Sequence, residues 1–89
     1  MQVRDWTEET VLRMNLPMEA LLGSALVQIC SDKEAVIENH RGLVEYSDRL
    51  IGIASVGRTI SIRGQGLRVA SMSSFRIRIT GHIDSVAFL

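Results

Sequence analysis

The chain has 89 residues, one cysteine, and ten basic residues balanced by ten acidic ones. That is room for a single domain with a modest core, and 46% hydrophobic content is that of a folding chain rather than a disordered one. Zero net charge argues against a dedicated nucleic-acid binder, and with a mean hydropathy of +0.17 it gives weak protection against self-association, so a homo-oligomer or a docked subunit is expected.

Residues 1–23 read as a helical segment. Asp5 or Thr7 can cap free amides, Glu8 and Glu9 suit a helix N-terminus, and Val11, Leu12 and Met14 follow. Pro17 restarts the turn; Met18, Leu21 and Leu22 share a helical face, and Gly23 is placed to end it. The charged start, with Arg4, Asp5, Glu8 and Glu9, has no apolar export signal, and Ala20–Ile29 is too short and too interrupted to span a bilayer. Cys30 has no partner for an internal disulfide, which points to a reducing compartment and a small core residue.

From residue 25 the period changes to two. Val27 and Ile29, then Ala35 and Ile37, flank a Ser31-Asp32-Lys33 turn and predict a hairpin. Further strands are predicted at 43–47, 50–55, 59–64, 67–72, 75–81 and 83–88. Ile60, Ile62, Phe75, Ile77 and Ile79 alternate toward a core, and Tyr46 and Phe88 are also expected inside. Gly64-Gln65-Gly66 reads as a turn, because no helix follows to complete a dinucleotide site, and Gly52 within a strand marks a bulge. The expected fold is all-β with a short N-terminal helical segment. Its body, residues 25–89, is an antiparallel meander forming a small sandwich or half-barrel, with a short β-solenoid as the alternative.

Nothing in the residue pattern points to a catalytic site, a bound metal or a cofactor. Cys30, His40 and His82 are the only nitrogen or sulfur ligand types and lack the close pairing of a structural zinc site. No serine sits in a nucleophile elbow, and Glu38, Glu45, Asp48 and Asp84 have no sequence feature that brings two together. Charge is uneven: residues 1–40 carry three basic and seven acidic side chains, and 41–89 carry seven and three. Arg63, Arg68, Arg76 and Arg78 share the outward phase of their strands and form a candidate basic stripe, which can be a solvated face or a contact for a protein or anionic lipid. Aromatic residues do not interleave with it, as a single-strand nucleic-acid binder would require.

Val36-Ile37-Glu38-Asn39-His40-Arg41-Gly42-Leu43-Val44-Glu45-Tyr46-Ser47, then Ile60–Arg63 with Gly64, Leu67, Arg68 and Val69, then Ile77, Ile79–Gly81, Ile83, Asp84, Val86 and Phe88, resemble the YabP/YqfC family over about residues 16–89. The resemblance is closest to the YqfC branch of sporulation proteins from endospore-forming bacteria. It implies a non-enzymatic adaptor or assembly component of the mother-cell cytoplasm. The implied partner is a membrane protein of the YqfD type, through which the chain would be membrane-associated. It brings no catalytic residues. The family pattern marks Glu38, Asn39, His40 and Arg41, which join the four arginines as candidate partner-binding residues, although an Asn- and His-containing turn can equally be a local backbone device. Gly52, Ala54 and Ser73-Ser74 depart from the family pattern, the last by lacking acidic residues.

Overall fold

The structure, a computed structural model, describes residues 23–89, so the helical expectation for the first segment lies outside the described residues except at Gly23, which is in a turn. Six strands follow: β1 (Leu26–Cys30), β2 (Glu34–Glu38), β3 (Leu43–Tyr46), β4 (Leu50–Ser55), β5 (Arg58–Met72) and β6 (Arg76–Phe88). They form one open sheet in the order β1-β2-β6-β5-β4-β3, every neighbouring pair antiparallel. The all-β antiparallel reading therefore holds, as a single curled sheet; stacked solenoid coils would have put parallel strands side by side. The meander runs from β3 to β6, and the β1–β2 hairpin then joins the far side of β6 through pairs such as Ile37 with Ile77.

The local causes are those of the sequence. Seven isoleucines, at 37, 51, 53, 60, 62, 77 and 79, are fully buried, and β-branched side chains suit a pleated surface. With Ala35, Leu67 and Ile83 they form one cluster that draws on β2, β4, β5 and β6. The hairpin turn at residues 31–33 is made by Ser31 in a left-handed conformation, with Lys33 N donating to the Cys30 carbonyl at 3.3 Å.

Four strands expected at 59–64, 67–72, 75–81 and 83–88 are two long ones. Gly64, Gly66 and Gly81 do not end a strand but bend it, at register shifts between Arg63 and Gly64 and between Gln65 and Arg68. Gly64-Gln65-Gly66 is thus a bulge inside β5 and not a turn. At each bend the ladder leaves amides without a cross-strand partner, and a neighbouring turn supplies one. The 47–49 turn accepts from Gly64 N through the Arg49 carbonyl (3.1 Å) and from Leu67 N through the Asp48 carbonyl (2.9 Å). The 31–33 turn accepts from Gly81 N through Lys33 (3.2 Å) and from Ile83 N through Asp32 (2.6 Å). The bent sheet curls far enough for Val69 N in β5 to donate to the Tyr46 hydroxyl of β3 at 3.4 Å.

Several inward expectations fail at the rims. Phe75, Phe88 and Tyr46 are exposed and not inside as expected: Phe75 falls in the turn before β6, Phe88 ends β6, and Tyr46 ends the edge strand β3. Cys30, the last residue of β1, is exposed and not a core residue. Gly52 does mark an irregularity: β3 is bulged opposite it, between Leu43 and Glu45, and the Val44 side chain comes within 3.0 Å of where a Cβ on Gly52 would stand.

Gly64 and Gly81 are the glycines that the bends require. A Cβ at Gly64 would overlap the His82 carbonyl oxygen, and one at Gly81, whose φ is +137°, would lie 2.6 Å from the Gly66 oxygen. Gly57 also has positive φ, +74°, but open space around it. We expect Gly57→Ala to cost about 1 kcal/mol from backbone conformation alone, and Gly64→Ala or Gly81→Ala about 3 kcal/mol or more from overpacking against backbone. Urea midpoints at unchanged m-value check the ranking.

Candidate functional site

The candidates of the sequence occupy two places. The first is the link from β2 to β3, which carries the chain from the second strand of the sheet to its far edge. Glu38 ends β2 opposite Arg76. Asn39 then takes φ +63°, a left-handed conformation that asparagine tolerates better than most residues. Its backbone N donates to the Phe75 carbonyl at 2.7 Å, and its Nδ2 donates to the Ser24 carbonyl at 3.0 Å.

His40 is only 6% exposed. Gly42 N donates to Nδ1 at 2.9 Å, which requires the ring proton on Nε2, and Nε2 donates to the Ser73 carbonyl at 2.8 Å. Arg41 N donates to the Ala54 carbonyl at 2.7 Å, and Ala54 N donates to the Gly42 carbonyl at 2.8 Å. In four residues the segment is thus bonded to the β5–β6 turn on one side and to β4 on the other. The imidazole is a buried brace with both nitrogens occupied, while the Arg41 side chain is exposed and Glu38 half-buried.

The second place is the outward face of the sheet. Arg63, Arg68, Arg76 and Arg78 are all exposed there, but they do not form one uninterrupted basic stripe. Arg68 stands opposite Thr80, Arg76 opposite Glu38, and Arg78 opposite Val36. Arg63 lies beyond the bend, between Leu50 and Ser85. The pairing of β6 with β2 sets Glu34 and Glu38 among the arginines, and Arg78 Nε donates to Glu34 Oε1 at 3.0 Å. The face near β2 is therefore a mosaic of both signs, and the exposed pair contributes about 0–1 kcal/mol.

One juxtaposition was not read from the sequence. His82, at the bend of β6, stands between Asp32 and Asp84, with Nδ1 3.4 Å from Asp32 Oδ2 and Nε2 3.0 Å from Asp84 Oδ1. All three side chains are about half exposed. The spacing of His82 and Asp84 along one strand hinted at proximity, but Asp32 arrives only through the docking of the 31–33 turn. No group of three metal-ligating side chains with metal-site geometry occurs among the described residues. No helix among them is long and apolar enough to cross a membrane.

The geometry defines a small antiparallel β-protein whose charged groups lie on its outer face, and whose one buried histidine is held by backbone at both nitrogens. The YabP family model matches residues 23–89, all six strands and the links between them. The chain belongs to the YabP family, a sporulation-associated family that is not a known enzyme family. No curated protein and no solved structure matches it.

The bracing reading of His40 gives a direct expectation. His40→Ala leaves the Gly42 amide and the Ser73 carbonyl without their partner and should cost about 1–3 kcal/mol, whereas Arg78→Ala should stay within about 1 kcal/mol. Thermal or urea unfolding of the two variants separates them; equal, small effects would remove the brace.

Proposed function

We propose that this chain is a non-enzymatic adaptor or assembly component of the sporulating mother cell, closest to the YqfC branch of its family. It acts in the cytoplasm and docks a membrane protein of the YqfD type. Membership of a sporulation-associated family supports the setting. The observation that carries the docking reading is the mosaic of Glu34, Glu38, Arg68, Arg76 and Arg78 on rigid, hydrogen-bonded strands. Fixed charges of alternating sign suit selection of one partner by charge complementarity more than general adhesion. Glu38 stands opposite Arg76 on the same face, so the family-specific segment contributes a side chain to it even though His40 does not.

The test is a pull-down of the tagged protein, crosslinked in sporulating cells, with retained proteins identified by mass spectrometry. A polytopic membrane protein is expected with the wild-type bait, and its loss is expected with Arg68→Glu plus Arg76→Glu at unchanged circular dichroism. Retention by that variant would move the docking site elsewhere.

A second reading, self-assembly, is favoured by the β3 edge, where Val44 and Tyr46 are 60% and 57% exposed. Unpaired edges add strands through main-chain hydrogen bonds. On this reading light scattering of the pure protein shows a mass well above 9.9 kDa that falls with Val44→Lys, and a monomer at all concentrations excludes it.

A further inference from the structure

Among the described residues, the one buried titratable side chain lies inside the most constrained stretch of backbone. Between β2 and β3, Asn39 has φ +63° and Gly42 has φ +111°, and His40 stands between them, 6% exposed. Its two ring nitrogens hold different parts of the molecule. Nδ1 accepts from Gly42 N at 2.9 Å, and Nε2 donates to the Ser73 carbonyl at 2.8 Å.

An imidazole can play both parts only while it is neutral. Its single proton is on Nε2, so a second proton can go only to Nδ1. That nitrogen would then turn an N–H toward the Gly42 N–H, and the amide would lose its acceptor. The Nε2 bond to Ser73 is kept by either form, so the loss falls on the Gly42 side alone.

The Gly42 side is where the edge strand begins. Arg41 N donates to the Ala54 carbonyl and Ala54 N to the Gly42 carbonyl, at 2.7 and 2.8 Å, and β3 starts at the next residue, Leu43. Among the described strands β3 pairs with β4 only, and that ladder is already broken between Leu43 and Glu45. Little else ties this end of β3 down. Nor does a neighbouring charge offset a cation at His40. On the segments bonded to the ring, the charged side chains are Glu38 and Arg41 of the link and Arg76 after the β5–β6 turn, and β4 carries none. Glu38 stands opposite Arg76, and no described carboxylate forms an ion pair with His40. A buried charge without a partner is costly.

We propose that the His40 brace is an acid-sensitive catch on the edge strand: protonation at Nδ1 releases the Gly42 amide and frees the entry to β3 from β4, while Nε2 keeps the β5–β6 turn. This is independent of the adaptor reading, and it gives the β3 edge two states that differ by one proton. The imidazole of the unfolded chain takes its proton near pH 6.5, and the braced form has no place for one, so the stability from the brace is present above that pH and lost below it.

The experiment uses the full chain with His82→Gln, so that His40 is its only histidine. The folding equilibrium constant from urea unfolding is expected to fall by up to about tenfold between pH 6.5 and 5.5. In amide exchange followed by NMR, Gly42 and Ala54 should lose protection in acid before Ile37 and Ile77 do. His40→Asn keeps a side-chain oxygen that can accept from Gly42 N but takes no proton, and it should abolish the pH dependence. An equally steep dependence in the His40→Asn variant overturns the proposal. So does Gly42 protection that is unchanged in acid, or that is lost only together with Ile37 and Ile77. If His40→Asn fails to fold, the exchange measurement on the parent chain decides alone.

Discussion

Two backbone bends hold this molecule in its shape, and both depend on carbonyls lent by turns elsewhere in the chain. A bulged strand leaves amides that its partner strand cannot reach, and burying them unpaired would cost about 1–3 kcal/mol each. Here the 47–49 turn serves Gly64 and Leu67, and the 31–33 turn serves Gly81 and Ile83. Each turn is thus fixed by the bend it serves, and each bend is permitted by its turn. The curl that results lets isoleucines from four strands meet in one cluster, which a flat six-stranded sheet could not do with one layer.

The curl also explains why the β2–β3 link is built as it is. The chain must pass from β2, the second strand of the sheet, to β3 at the opposite edge. It does so in the shortest way, with a left-handed asparagine, a histidine braced at both nitrogens and a glycine at φ +111°. The residues that look most like a site in the sequence are therefore those whose backbone demands are strictest. Of the side chains along the link, Glu38 stands opposite Arg76 and Arg41 is exposed. The mixed-charge face that includes Glu34 and Glu38 forms only when β2 lies against β6.

Much of this was legible beforehand. The 31–33 hairpin and the alternation through Ile60, Ile62, Ile77 and Ile79 are local signals, and local signals report the period and the facing of a strand. They do not report whether a glycine ends a strand or bends it, since both uses need the same freedom at Gly66 and Gly81. Nor do they report which strands meet: Glu34 and Glu38 enter the arginine face only through a pairing more than thirty residues away in sequence. Phe75, Phe88 and Tyr46 were expected inside and are exposed, because alternation along a strand says nothing about the cover at its ends, and Phe75 falls in the turn before β6 begins. His40 looked like a candidate for recognition for the same reason: Ser73, which occupies its ring, is 33 residues downstream.

The order of strands has a consequence for how the protein is made. β6 is paired on both sides, with β2 and with β5, yet it follows the other five described strands in the chain. Until it leaves the ribosome, the β1–β2 hairpin has nothing to join, and a two-stranded hairpin alone is marginal in water. The nascent chain thus carries two unfinished half-sheets with apolar faces, and completion is a single late event that closes both. A chain without β6 would leave isoleucine-rich strands exposed on both halves, so completion of the sheet is all-or-none with respect to that one strand.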